Sequence, residues 1–394
     1  MKNSLSDRRI GGGFCRAGVV AAALGAGGMA WGVPWPAESW SASVNLTGIA
    51  GAGTNSFYED MSAAVWDPAT ERLWVARNGP SPNSKLWALR RSGSSWTIDS
   101  QGAARGEWTG LGDLEAITLC PATPNVVYCA SEGEQIIRAM NVSSYGVVAI
   151  ARQWNLSSVV PVISGNGIEG LAFIPNDALN AAGFAMIAGG SQTRSTLGLG
   201  GLFFVGNQGD GRIYVVDLSP TGTTFTFYGS LATNYPEIAE LTFDASTQQL
   251  MILHGDNQNR IEVSTLAATG SGSSRRLTEL YTIDRPTGSG STTNIEGLAI
   301  LDGATCSTGG GAHAGWRSLF LTIDDGGADS LRWFRQWPCF CQGDFNQDGT
   351  IDFFDYLDYV AAFSVSAAAS DINQDGVVDF FDYLDFVSLF ASGC

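Results

Sequence analysis

Two stretches near the C-terminus carry oxygen donors at the spacing a hard cation needs. Residues 344–355 read Asp-Phe-Asn-Gln-Asp-Gly-Thr-Ile-Asp-Phe-Phe-Asp, and residues 371–382 read Asp-Ile-Asn-Gln-Asp-Gly-Val-Val-Asp-Phe-Phe-Asp. Calcium takes roughly six to eight oxygen ligands, and a loop of this form supplies them from positions 1, 3, 5, 7, 9 and 12. The side chains at positions 1, 3 and 5 are Asp344, Asn346 and Asp348 in one copy, and Asp371, Asn373 and Asp375 in the other. Position 6 is Gly349 or Gly376, where the loop turns sharply and a Cβ is penalised. Position 7 offers a backbone carbonyl (Thr350, Val377), position 9 is Asp352 or Asp379, and position 12 is Asp355 or Asp382. Two such loops predict two calcium ions. The tail carries no Lys or Arg beyond residue 341, so its aspartates repel one another without metal, and binding and folding are expected to be coupled.

A second set of carboxylates recurs in the body of the chain. Asp113-Leu-Glu-Ala-Ile-Thr118, Gly167-Ile-Glu-Gly-Leu-Ala172 and Asn294-Ile-Glu-Gly-Leu-Ala299 place Glu115, Glu169 and Glu296 at equivalent positions. Two related segments put Ser62 and Ala239 there, with Glu240 one residue further on. If each segment lines a common channel, the three glutamates converge at one mouth. They would repel, hold protons or bind a third calcium. A pair of them would also suit a glycoside hydrolase. A further ring is expected from turns carrying Asn78, Glu132, Asn207, Asp256, Asp324 and Asp325. Other catalytic signatures are missing: the chain has two histidines, His254 and His313, no G-x-S-x-G elbow and no H-E-x-x-H pair.

The elements that position these residues repeat at about 53–57 residues, with a longer third unit. After each inner segment comes a second apolar run (Leu73-Trp-Val-Ala76, Val127-Tyr-Cys-Ala130, Leu202-Phe-Phe-Val205, Leu250-Met-Ile-Leu253, Leu319-Phe-Leu-Thr322), then polar turns and outer strands. Four short strands per unit predict an all-β propeller. The reading is five blades, or six if the Gly/Ala/Ser-rich insertion at 176–200 hides another. The fifth unit lacks a fourth strand, which residues 41–47 would supply. A small all-α calcium module follows. The expected division is 1–37 leader, 38–337 propeller and 338–394 calcium module.

The paired loops resemble the dockerin domain, a calcium-dependent anchoring module of two loop–helix repeats, in a bacterial variant ending Gly393–Cys394. That resemblance implies a cohesin-like or other extracellular anchoring partner. The positions that family uses for recognition are here Phe353–Phe354 and Phe380–Phe381. Segments such as Asn294-Ile-Glu-Gly-Leu-Ala299 with Thr322-Ile-Asp-Asp325 resemble the SdiA-regulated and esterase-like-phytase propellers. This implies the fold, and leaves open a binding protein or a secreted glycoside or phosphoester hydrolase.

Bulk properties agree. Of 394 residues only 15% are charged, 50 are Gly and 12 are Trp, a mix suited to turn-rich β structure. The net charge of −17 and the lack of a basic patch exclude a nucleic-acid binder. Residues 1–33, basic and then small and apolar, have the layout of an export signal, so the chain is expected to be secreted, on the cell surface or in the periplasm, with no membrane span once the signal is removed. Outside this leader and its Cys15, six cysteines remain. Cys120 and Cys129 flank a short hairpin and are expected to be able to pair across it.

Overall fold

The computed structural model describes residues 32–33, 35–51, 57, 60–79, 84–255, 259–302, 316–324, 326–338, 343, 345–346, 351–367, 370, 372 and 377–392. The fold is mostly β. Among these residues, five groups of four antiparallel strands follow one another along the chain, the third and fourth joined at their outer strands by a parallel Ala232–Arg276 bridge and the first carrying an extra strand, Glu107–Thr109; each group is called a sheet below. The first runs Met61–Asp67, Arg72–Arg77, Lys85–Ser92, Ser95–Ile98. The second is Leu114–Leu119, Val126–Ser131, Ile136–Asn141, Ile150–Asn155. The third is Ile168–Pro175, Gly201–Asn207, Arg212–Leu218, Phe225–Ala232. The fourth is Ile238–Asp244, Gln249–His254, Arg260–Thr269, Arg276–Ile283. The fifth is Asn294–Ile300, Trp316–Asp324, Leu331–Pro338, completed by Val44–Asn45. In that closing strand Val44 pairs with Trp333 and Asn45 with Arg332, so residues more than 280 apart in sequence share one sheet. Thr47 Oγ1 secures the junction by accepting the Ser330 and Leu331 amides at 2.8 and 3.2 Å.

The first strand of each sheet is nearly continuous in buried residues, whereas Ile150–Asn155 at an outer edge is mostly exposed. Buried side chains leave both faces of each sheet and meet those of its neighbours. Five apolar layers result, each between two successive sheets, the last sheet meeting the first. Trp96 of the first sheet meets Phe320 of the fifth edge-on at 5.0 Å, and Tyr128 of the second meets Phe203 of the third at 4.8 Å. The arrangement is a propeller-like ring whose first strands pack against one another in cyclic order.

Three sequence expectations change. Cys120 and Cys129 are both free and buried. Cys129 faces the layer shared with the first sheet and Cys120 the layer shared with the third, so the sheet stands between the two thiols. The remaining cysteines lie outside the described residues. The insertion at 176–200 holds a short helix, Asn176–Ala181, and no strand. It is held by the buried carboxylate of Asp217, which accepts Ser195 Oγ at 2.7 Å and the Thr196 and Leu197 amides at 2.6 and 3.0 Å. The folded unit also begins before residue 38: Trp35 is buried against Phe334 and Trp337 at 5.0 and 5.2 Å.

In the tail, helices Phe353–Ser364 and Phe380–Ser392 pack through Tyr359 and Phe386, stacked at 3.9 Å, and through a Tyr356–Tyr383 hydroxyl contact of 3.0 Å. Among the described residues no helix is long and apolar enough to cross a membrane.

At the ring axis the first strands have an unpaired inner edge, and its amides need acceptors. Glu240, 1% exposed, provides them: Oε1 accepts the Leu241 amide at 2.8 Å and the Leu171 amide of the neighbouring sheet at 3.4 Å, and the Ala64 amide of the first sheet also reaches the carboxyl. Glu240→Ala would orphan amides of three sheets and is expected to cost about 2–4 kcal/mol in chemical denaturation, with Glu240→Gln costing less. Equal loss in both variants would show that packing, not hydrogen bonding, is the role of this side chain.

Candidate functional site

Each first strand breaks register with its neighbour at one residue. The skipped residues are Ser62, Glu115, Glu169, Ala239 and Glu296. A bulged residue leaves the ladder and is re-aimed. The five positions equivalent in sequence are therefore equivalent in structure, and Glu115, Glu169 and Glu296 are brought into one electrostatic cluster at the start of the strands. The two units without a bulge glutamate carry an acid two residues earlier, Asp60 and Glu237, each in left-handed backbone at φ 57°. The strands approach closely there: a Cβ on Gly297 would lie 2.8 Å from Ala63 Cα, so only glycine fits.

Glu132 and Asp113 complete the cluster. One carboxylate oxygen from each of Asp113, Glu115 and Glu132 lies within 4.8 Å of the others. Glu132 Oε1 accepts the Gly167 amide at 2.7 Å, and Asp113 Oδ2 accepts the Gly133 amide at 2.9 Å, so both are held by backbone. Burial pushes the Glu115 carboxyl well above the usual range, helped by Asp113 and opposed by a Ser62 hydrogen bond. Burial does the same to Glu169, followed by repulsion from Glu115 and Glu296. Burial also raises Glu132, less far, and a Glu132–Glu169 hydrogen bond lowers Glu132 while raising Glu169. Glu296, partly exposed but densely surrounded, is pushed up to about 8, by burial first and then by Asp324. Its Oε1 accepts Asn294 Nδ2 at 2.5 Å, while Oε2 is buried with no partner among the described residues. Burial likewise raises Glu240, which the repeat pattern placed one residue off the aligned position.

The second ring is partly realised. Glu132 belongs to the cluster, and Asp324 borders Glu296 through Asn294 Nδ2, 3.4 Å from Asp324 Oδ2. Asn78 sits at the mouth of the first sheet, its amide bonded to the Asp60 carbonyl at 2.7 Å. Asn207 does not join them: it is fully buried and closes a turn, donating to the Pro161 carbonyl at 2.7 Å. It lies one residue before the equivalent of Glu132. Asp256, Asp325 and His313 lie outside the described residues. His254 lies fully buried away from the cluster, with Nδ1 3.0 Å from the Pro236 carbonyl and Nε2 3.4 Å from the Glu262 carboxylate.

In the tail, Asn346, Asp352, Asp355, Val377, Asp379 and Asp382 are described; Asp344, Asp348, Thr350, Asp371, Asn373 and Asp375 are not. In both halves the last carboxylate of the loop accepts two backbone amides, one of them from the equivalent Asp352 or Asp379, the other from loop position 3 in the first half and position 2 in the second. Asp355, fully buried, accepts the amides of Asn346 and Asp352 at 3.0 and 2.8 Å; Asp382, also fully buried, accepts those of Ile372 and Asp379 at 2.8 and 2.7 Å. Asp352 and Asp379 cap the helices, each accepting an amide at 2.8 Å. Every described donor is a hard oxygen, which fits calcium.

No family model matches the sequence, and no curated protein matches it. Among solved structures it is similar to a glutaminyl cyclase of Myxococcus xanthus, at 12% identity over 77% of this chain and 97% of that one with a TM-score of 0.42. It is also similar to a chain of a mitotic checkpoint complex, at 11% identity over 70% of this chain with a TM-score of 0.33. This chain spans 62% of the length of that chain.

Groups with raised folded-state pKa bind more protons folded than unfolded, so they favour the fold at low pH and lose that effect as pH rises. With chelator present, stability is expected to fall between the usual glutamate range and about 8, the value reached by Glu296. Glu296→Gln should flatten this slope and raise the melting temperature at pH 8 by about 2–4 °C. A pH profile identical to that of the parent chain would contradict the shift.

Proposed function

We propose that the ring is a five-bladed propeller whose acidic mouth binds a hard divalent cation, calcium foremost, and through it a polar ligand or partner. The observation that carries this is the Asp113–Glu115–Glu132 cluster, with ligand oxygens within 4.8 Å. Carboxylates this close, Glu115 buried and Asp113 and Glu132 half-buried, must hold protons or be neutralised by a cation, and the unpartnered Glu296 Oε2 leaves acceptor capacity beside them. The five blades are favoured by the five interleaved layers and by an insertion that adds no strand.

The tail is read as a dockerin-like module that binds two calcium ions and anchors an exported protein to a cohesin-like or other extracellular partner. Phe353, Phe354, Phe380 and Phe381 are each 63–65% exposed, which supports recognition by an apolar partner surface. The alternative is a secreted hydrolase acting on glycosides or phosphoesters. The hydrogen bond that raises Glu169 and lowers Glu132 favours it, because acid–base catalysis needs two carboxyls with separated affinities for a proton. Activity against a glycoside and phosphoester panel, lost in Glu115→Gln and Glu169→Gln, would establish that reading over simple binding.

Equilibrium dialysis of the full chain is expected to yield three calcium ions per molecule, two in Glu115→Gln and one in the double variant Asp348→Ala/Asp375→Ala. Two ions in both the parent and Glu115→Gln would overturn the channel site. Far-ultraviolet circular dichroism should gain helical signal when calcium replaces chelator, and this gain should vanish in the double variant. An unchanged parent spectrum would refute calcium-coupled folding of the tail.

A further inference from the structure

The five first strands end on the side of the ring away from the carboxylates, and there they enclose a cavity of about 350 Å³. Its walls are apolar. Val65, Trp66, Leu119 and Phe243 line it half-buried, with Phe173 and Ile300 beneath. All five strands contribute, so the cavity is a product of the ring and not of one sheet. Its size is that of a small-molecule site.

The polar lining is mostly spent internally. Asp67, the charged residue of the lining, accepts the Ala69 amide at 3.0 Å and Thr70 Oγ1 at 2.5 Å within its own turn. Thr118 accepts the Phe173 amide at 3.2 Å, and Thr242 donates to the Leu298 carbonyl at 2.5 Å. Two donors are left over. Trp66 and Trp74 both line the cavity, and both have buried indole N–H groups without an acceptor among the described residues. Trp74 is 3% exposed, so solvent does not compensate it. A buried N–H with no acceptor is costly, and a ligand oxygen that reached it through a small rotation of the half-buried Trp66 ring would relieve it.

We infer that this mouth binds a small, uncharged, largely apolar molecule carrying a hydrogen-bond acceptor, of bicyclic to tricyclic size. No ionic group in the lining is free to recognise a charged ligand, and a sugar would leave most of its hydroxyls against apolar wall. The site is independent of the acidic mouth and of the calcium loops.

The test is fluorescence titration of the full chain, in calcium, with Prodan, a neutral naphthalene dye bearing a carbonyl. One saturable site per molecule is expected. Leu119→Glu, which charges the wall, and Leu119→Trp, which fills the cavity without charge, should each weaken binding at least about tenfold with unchanged near-ultraviolet dichroism. Replacing Phe353, Phe354, Phe380 and Phe381 together by Ser should leave binding intact. 2-Acetylnaphthalene should displace the dye at least about fivefold better than 2-ethylnaphthalene, and Trp66→Phe should reduce that ratio. Non-saturable binding, binding lost only in the tail variant, or binding insensitive to a folded Leu119→Trp overturns the cavity as a site. Equal displacement by the two naphthalenes overturns the acceptor.

Discussion

Everything in the ring depends on satisfying the inner edges of five strands at one axis. An outer strand can turn its unpaired edge to water, but an inner strand faces its neighbours at a distance too short for solvent. Glycine at 170 and 297 and alanine at 63 and 116 let the backbones approach. Glu240 then collects amides from three sheets, and Thr118 and Thr242 each bridge to the next. A carboxyl in that place is expensive to bury, and the amides it accepts offset only part of the penalty.

The same geometry separates two chemistries along one axis. Each strand enters beside a bulge that swings its side chain out of the ladder, and in three of five units that side chain is glutamate. Each strand leaves through apolar residues that the layers between sheets do not fully cover. One end therefore concentrates negative charge held close enough to raise proton affinity, and the other concentrates uncharged surface. Glu240 sits among the same inner strands, beside Leu171 and Leu241 of the apolar lining.

The tail obeys a different economy. In each half a buried aspartate, Asp355 or Asp382, gathers two backbone amides, and the small core between the helices is aromatic stacking around Tyr359 and Phe386. A unit this small has little apolar area to bury, and it spends four phenylalanines on the surface.

The sequence by itself determined the repeat, the four-strand unit, the N-terminal closure of the fifth sheet and the equivalence of Glu115, Glu169 and Glu296. These are local patterns of alternation and motif, and a motif repeated at constant spacing must occupy equivalent places in a ring. Other features only the tertiary structure decided. Glu240 sits one residue past the bulge, and its role depends on amides about 70 and 175 residues away. Cys120 and Cys129 look ready to pair in sequence, yet alternation across a sheet sends them to opposite faces. Asn207 misses the site by a single residue of register. The apolar mouth was invisible because its walls come from five strand ends, each of which reads in sequence as ordinary core. Which side chains a ring leaves uncovered is set by how its sheets close, and no single unit contains that information.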